Sequence, residues 1–112
     1  MKKIFAIPLE SGVLCSHFGH CEQFAIIEVE ESLITTESLV TPPPHEPGLL
    51  PGWLAERGVT DVIAGGMGQR AVNLFTAQNI SVNVGAQPKA PRELVTDWLN
   101  NSLKTGTNAC DH

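Results

Sequence analysis

The chain has 112 residues, 42% of them hydrophobic, and a formal net charge of −5, the profile of one domain with its own core and not of a disordered tail. Lysine and arginine are scattered, tyrosine is absent and only 5% of residues are aromatic, which argues against neutralising duplex phosphates and against a base-stacking surface. No apolar run approaches the roughly 20 residues of a membrane span, so neither nucleic acid nor membrane is an expected partner.

The opening "MKKIFAIPLE" has two lysines and a short apolar run. A signal peptide needs a longer apolar region and a small-residue cleavage site. Pro8, Leu9 and Glu10 end the run, so it reads as a first strand, Lys3 to Leu9, and the protein as cytoplasmic. Three cysteines is an odd number, and a reducing compartment disfavours structural disulfides. The thiols are then reduced side chains or metal ligands.

The next stretch, "GVLCSHFGHCEQF", packs Cys15, His17, His20 and Cys21 into a loop. Phe24 to Glu30 is a second strand and Leu33 to Thr41 a third, rich in Thr, Ile and Val. The first connection is too long for a tight hairpin, whereas "EES" suits one. "PPPHEPG" is a rigid loop carrying His45. A first helix follows in "LLPGWLAERG", with Pro51 in its first turn and Gly58 as its stop. Asp61 to Ala64 is a short buried strand that runs into Gly65, Gly66, Met67 and Gly68. "QRAVNLFTAQN" is the second helix, Ile80 to Val84 the fifth strand, and Pro91 to Leu103 the third helix with a stripe of Leu94, Val95, Trp98, Leu99 and Leu103. One domain over residues 1–103 is expected, with a flexible polar tail at 104–112.

The order βββαβαβα makes the helix-linked strands parallel. If the first three form a meander, the class is α/β with a five-stranded mixed sheet in the order 3-2-1-4-5 and three helices, the ribonuclease H-like architecture. In that arrangement the loops after strands one, three, four and five leave at one edge, around a switch point where α/β sheets bind ligands. This edge would gather Cys15, His17, His20, Cys21, His45, Gly65 to Gly68, Gln87 and Lys89.

Thiolate, imidazole and the Met67 thioether are soft to borderline donors, suited to copper(I), zinc or iron–sulfur species. The separated ligand pairs of a zinc finger are missing. The glycines of 65–68 are expected to reach positive φ and bring the following helix N-terminus, an anion-favouring end, up to a ligand. No Walker lysine follows them. Plainer readings stand beside these. Each histidine suits a hydrogen-bonded loop residue, Cys15 and Cys21 suit small buried apolar side chains, Met67 suits packing, and the glycines suit a tight strand-to-helix turn. Phe18 would plug the core beneath the loop, and Gly19 would let the chain turn.

"SHFGHCEQFAIIEVE", the histidine after the third strand, "GVTDVIAGGMGQRAVNLFTAQNISVNVGA" and the ending "NACDH" together resemble the dinitrogenase iron–molybdenum cofactor biosynthesis family over nearly the whole chain. That family includes nitrogenase cofactor carriers and the orange protein with its molybdenum–copper–sulfur cluster. The resemblance implies a ribonuclease H-like fold without nuclease activity. It also implies binding or carriage of an anionic metal–sulfur cluster or its precursor, containing molybdenum with iron or copper, and proteins that donate or accept it. By position it assigns cofactor contacts to His17, Phe18, Gly19, His20, His45, Gly65, Gly66, Met67 and Gly68. Metal ligation would draw on His17, His20, His45, Cys15, Cys21, Cys110 and His112. Two other functions compete: a redox or regulatory module using Cys15 and Cys21 or a simple metal ion, and a nuclease. The nuclease would need clustered carboxylates. Glu10 and Glu22 are candidates, but the central strands offer no Asp/Glu pair.

Overall fold

The structure, a computed structural model, describes residues 2–15, 22–42, 49–100 and 103. Strand β1 is Lys2–Glu10, β2 Val13–Leu14, β3 Gln23–Glu30 and β4 Leu33–Val40. Helix α1 (Leu49–Glu56), strand β5 (Asp61–Ile63), helix α2 (Gln69–Ala77), strand β6 (Ser81–Asn83) and helix α3 (Pro91–Leu99) follow. The sheet has six strands. Its main path runs β4-β3-β1-β5-β6, and β2 pairs with β1 off that path.

The mixed pairing follows from the connections. β1, β3 and β4 are antiparallel neighbours, whereas β5 and β6 run parallel to β1, because parallel strands need a crossover and α1 and α2 supply it. A bulge between Glu28 and Val29 leaves Thr35 of β4 without a partner in register. The β3–β4 turn places Glu31 and Ser32 at φ 54° and 65°, the backbone of a two-residue hairpin loop.

Both faces of the sheet are covered, so its central strands read as nearly continuous apolar runs. Phe5, Ile7, Leu9, Ala25, Ile27, Val29 and Ile63 face α3, where Leu94 and Val95 are buried and Trp98, Leu99 and Leu103 pack alongside. Ala6, Phe24, Val62 and Ala64 face α1 and α2, meeting Leu50, Leu54, Met67 and Phe75. Alternate residues of one strand thus serve two cores, as a period of two requires. Trp98 meets Phe5 edge-on at 5.1 Å between ring centres. Trp53 packs near Phe24 at 6.1 Å. Both tryptophans are therefore packing residues.

Three expectations need correction. The expected five-stranded sheet has a sixth strand, because Ser11 (φ 55°) and Gly12 (φ 85°) make a two-residue turn from β1 into β2 within the long first connection. Helix α3 ends at Leu99, where the Asn100 N–H bonds back to the Thr96 and Trp98 carbonyls. Leu103 still packs on the core, but outside the helix. Among the described residues, positive φ at glycine falls on Gly12, Gly58 and Gly85, not on the run from Gly65 to Gly68. Among the described residues, no helix is long and apolar enough to cross a membrane.

Candidate functional site

The carboxyl end of β1 is where the described candidates meet. Leu9 pairs with Gln23 of β3 on one side and with Leu14 of β2 on the other. Beyond the short β1–β5 pairing of Phe5–Asp61 and Ala6–Val62, β2 therefore takes over the flank that β5 leaves. The Cys15 N–H donates to the Pro8 carbonyl at 2.9 Å, and the Glu22 N–H donates to the Leu9 carbonyl at 2.8 Å. Successive carbonyls of a strand point to opposite sides, and neighbouring strands lie roughly 4.8 Å away. Cys15 consequently lies on the β5 flank of β1 and Glu22 on its β3 flank.

That run is tied to the loop after β6. The Ala64 N–H donates to the Asn83 carbonyl (2.8 Å), Gly85 N–H to Gly65 carbonyl (3.0 Å) and Ala86 N–H to Ala64 carbonyl (3.3 Å). The left-handed residue that makes this fit is Gly85, at φ 81°. The same loop reaches back to β2, since Leu14 N–H donates to the Lys89 carbonyl at 3.0 Å. Three segments distant in sequence are thus joined through backbone bonds into one platform.

Helix α2 rises from this platform. Gly68 is its N-cap, in extended conformation (φ −63°, ψ 151°) and without a side-chain cap. A Cβ added there would meet nothing within 4 Å. The first amides of any helix lack an intrahelical acceptor, and here no capping side chain at Gly68 competes for them. The arrangement offers N–H donors and the positive end of a helix dipole directly after Met67. Cys15 is 3% exposed and Met67 1% exposed. Met67 belongs to the core cluster under α1 and α2. Lys89 is turned towards α3, with Nζ 2.9 Å from Asp97 Oδ2. The hydrogen bond and charge of Asp97 push its pKa above the usual lysine value. Gln87 is exposed.

Of the expected site residues, the structure therefore gathers Cys15, Gly65, Gly66, Met67 and Gly68 at one edge. His17, Phe18, Gly19, His20, Cys21, His45, Cys110 and His112 lie outside the described residues. Among the described residues, no three His, Cys, Asp or Glu side chains assemble into a group that could hold a metal ion. The sequence reading missed β2 and its bond to Lys89. The Ser11–Gly12 dipeptide between two apolar pairs is the signal that could have found the hairpin.

The opposite, amino end of the sheet holds a different polar group. Asp61 is the one buried charged residue among those described. It accepts a 2.6 Å bond from Thr60 Oγ1 and a 3.4 Å ion-pair contact from Lys3 Nζ, which also lies 5.2 Å from the Trp98 ring centre.

Comparison with known proteins fits this architecture. The protein MJ0580 of Methanocaldococcus jannaschii is 30% identical over 82 residues, covering 69% of this chain and 70% of its own. The crystal structure of PH0822 superposes with a TM-score of 0.87 at 26% identity, covering 95% of this chain and 96% of that one. At the level of fold alone, the apo orange protein of Desulfovibrio gigas gives a TM-score of 0.75 at 19% identity, with 95% and 94% coverage. The family model described as dinitrogenase iron-molybdenum cofactor matches residues 1–101, and the chain belongs to that family.

Proposed function

We propose that this protein binds and carries an anionic metal–sulfur cluster or its precursor, molybdenum with iron or copper, and catalyses no reaction on it. The observation that carries the reading is that, in a chain of this family, the strand leading into Cys15 is tied through the 85–89 loop to the same backbone platform as the glycine run before the uncapped start of α2. Amides at a helix N-terminus suit an anion, and a thiolate suits copper or an iron–sulfur species. The Gly65 to Gly68 amides and soft ligands drawn from Cys15, His17, His20, Cys21 and His45 would hold the cluster, with Cys110 and His112 as an auxiliary arm from the 104–112 tail. Phe18 and Gly19 would shape the loop, and Met67 would line the site from the core. The ribonuclease H-like assignment, the cytoplasmic location and the existence of donor and acceptor proteins belong to this same proposal.

A nuclease is not favoured, because the buried acid among the described residues, Asp61, is held by Thr60 and Lys3 at the other edge. Anaerobic metal and acid-labile sulfide analysis of the isolated protein tests the reading. Molybdenum, iron or copper with sulfide is expected, and zinc without sulfide would favour the simple metal site. Replacing both His17 and His45 with Ala is expected to cut cluster loading without a matching fall in melting temperature. Loading equal to the parent would remove these histidines from the site.

A further inference from the structure

A two-residue strand such as β2 has little stability of its own, since even isolated hairpins are marginal in water. Cys15 directly follows it. Something must hold this hairpin if Cys15 is to keep its place at the carboxyl end of β1. One anchor is the Leu14 N–H bond to the Lys89 carbonyl. The second comes from the other flank of β1. The Ser11 N–H, in the turn itself, donates to Glu22 Oε1 at 2.9 Å, while the Glu22 backbone N–H donates to Leu9. Glu22 thus fastens the start of β3 to the β1–β2 turn across the end of the central strand. Ser11 sits at φ 55°, a conformation that non-glycine residues adopt reluctantly, and the carboxylate satisfies the amide that this turn directs outward.

The geometry points to Glu22 as a positioning residue of the ligand edge: it holds the turn that leads through β2 to Cys15, and it does so as a hydrogen-bond acceptor, not as a charge or a ligand. The inference rests on the cluster-binding reading above. It makes a distinction that a metal-ligating carboxylate would not. Glu22→Gln keeps an acceptor oxygen and removes the negative charge. Glu22→Ala removes both.

Tetrathiomolybdate, added anaerobically and followed by its optical change, is the probe. Amide hydrogen exchange of the apo protein and melting temperature are recorded in parallel. Glu22→Ala is expected to raise Kd about three- to tenfold, as befits one exposed hydrogen bond, and to speed exchange at Ser11 and Cys15. Its melting temperature should fall by no more than about 3–8 °C, the loss of one hydrogen bond. Glu22→Gln is expected to restore parental exchange and to bind at least as tightly as the parent. Equal binding by Glu22→Ala and the parent overturns the positioning role alone. So does a Glu22→Gln variant as impaired as Glu22→Ala, because the charge would then be the active feature. A parent that does not bind tetrathiomolybdate overturns the cluster-binding reading itself, and this role with it.

Discussion

The two ends of the sheet handle polarity in opposite ways. At the amino end, side chains answer one another: Asp61 is closed off by Thr60 and Lys3, Lys3 lies over Trp98, and Lys2 bonds Glu28 at 2.9 Å. At the carboxyl end the backbone does the holding, through Pro8, Leu9, Gly65 and Lys89 carbonyls, and the uncapped helix start is left facing outward. Asp61, the most deeply buried acid described, has a structural explanation that is complete in itself.

Breaking the carboxyl end should have the larger effect on binding. Gly68 adopts φ −63°, ψ 151°, and a Cβ there would meet nothing within 4 Å. Gly68→Val should thus fold normally, yet place a branched side chain over the α2 amides. A 10- to 100-fold rise in the Kd for tetrathiomolybdate is expected, about 1.4–2.7 kcal/mol, with an unchanged urea midpoint. Parental affinity would show that the anion does not use the start of α2.

Breaking the amino end should do the reverse. Lys3→Ala strips the buried Asp61 carboxylate of its cation and leaves Thr60 as the partner. A loss of about 1–2 kcal/mol in urea unfolding is expected, with the tetrathiomolybdate Kd within twofold of the parent. If affinity falls together with stability, the two ends are not independent.

The smallest effect concerns pH. The hydrogen bond from Lys2, with another from Thr36 and the Lys2 charge, holds the Glu28 carboxyl below its ordinary 4.5, and the same contact raises Lys2. A carboxylate with a folded pKa below its unfolded one adds stability above the unfolded value and loses it as pH falls through the folded value. The contribution of this exposed pair should accordingly be present above pH 4.5 and fade in acid. NMR titration of Lys2→Met should move the Glu28 midpoint back up. An unmoved midpoint would assign the depression to Thr36.

The sequence reveals the elements whose signal is local and repeated. Alternation in "FAIIEVE", Pro51 at a helix start and the stripe from Leu94 to Trp98 each mark an element through neighbours a few residues apart. It hides what depends on distant backbone. Nothing near Leu14 announces a bond to Lys89, and Val13–Leu14 is too short to show a period. Four glycines near two loops do not reveal which one turns left-handed. Gly85 does so because its N–H must reach the Gly65 carbonyl, while Gly65 to Gly68 pass through ordinary backbone. The edge at which these loops emerge is legible from topology, since a helix-linked parallel strand order fixes it. Cys15's amide bond to Pro8, which sets its level on that edge, is not.

The central claim is that the carboxyl end of the sheet is the ligand end. Anaerobic titration of tetrathiomolybdate into isotope-labelled protein, followed through the backbone amide resonances, tests it residue by residue. The largest shifts are expected at Cys15 and from Gly66 to Arg70, with Lys3, Thr60 and Asp61 unmoved. Shifts centred on Lys3, Thr60 and Asp61, or a spectrum unchanged at excess ligand, would contradict it.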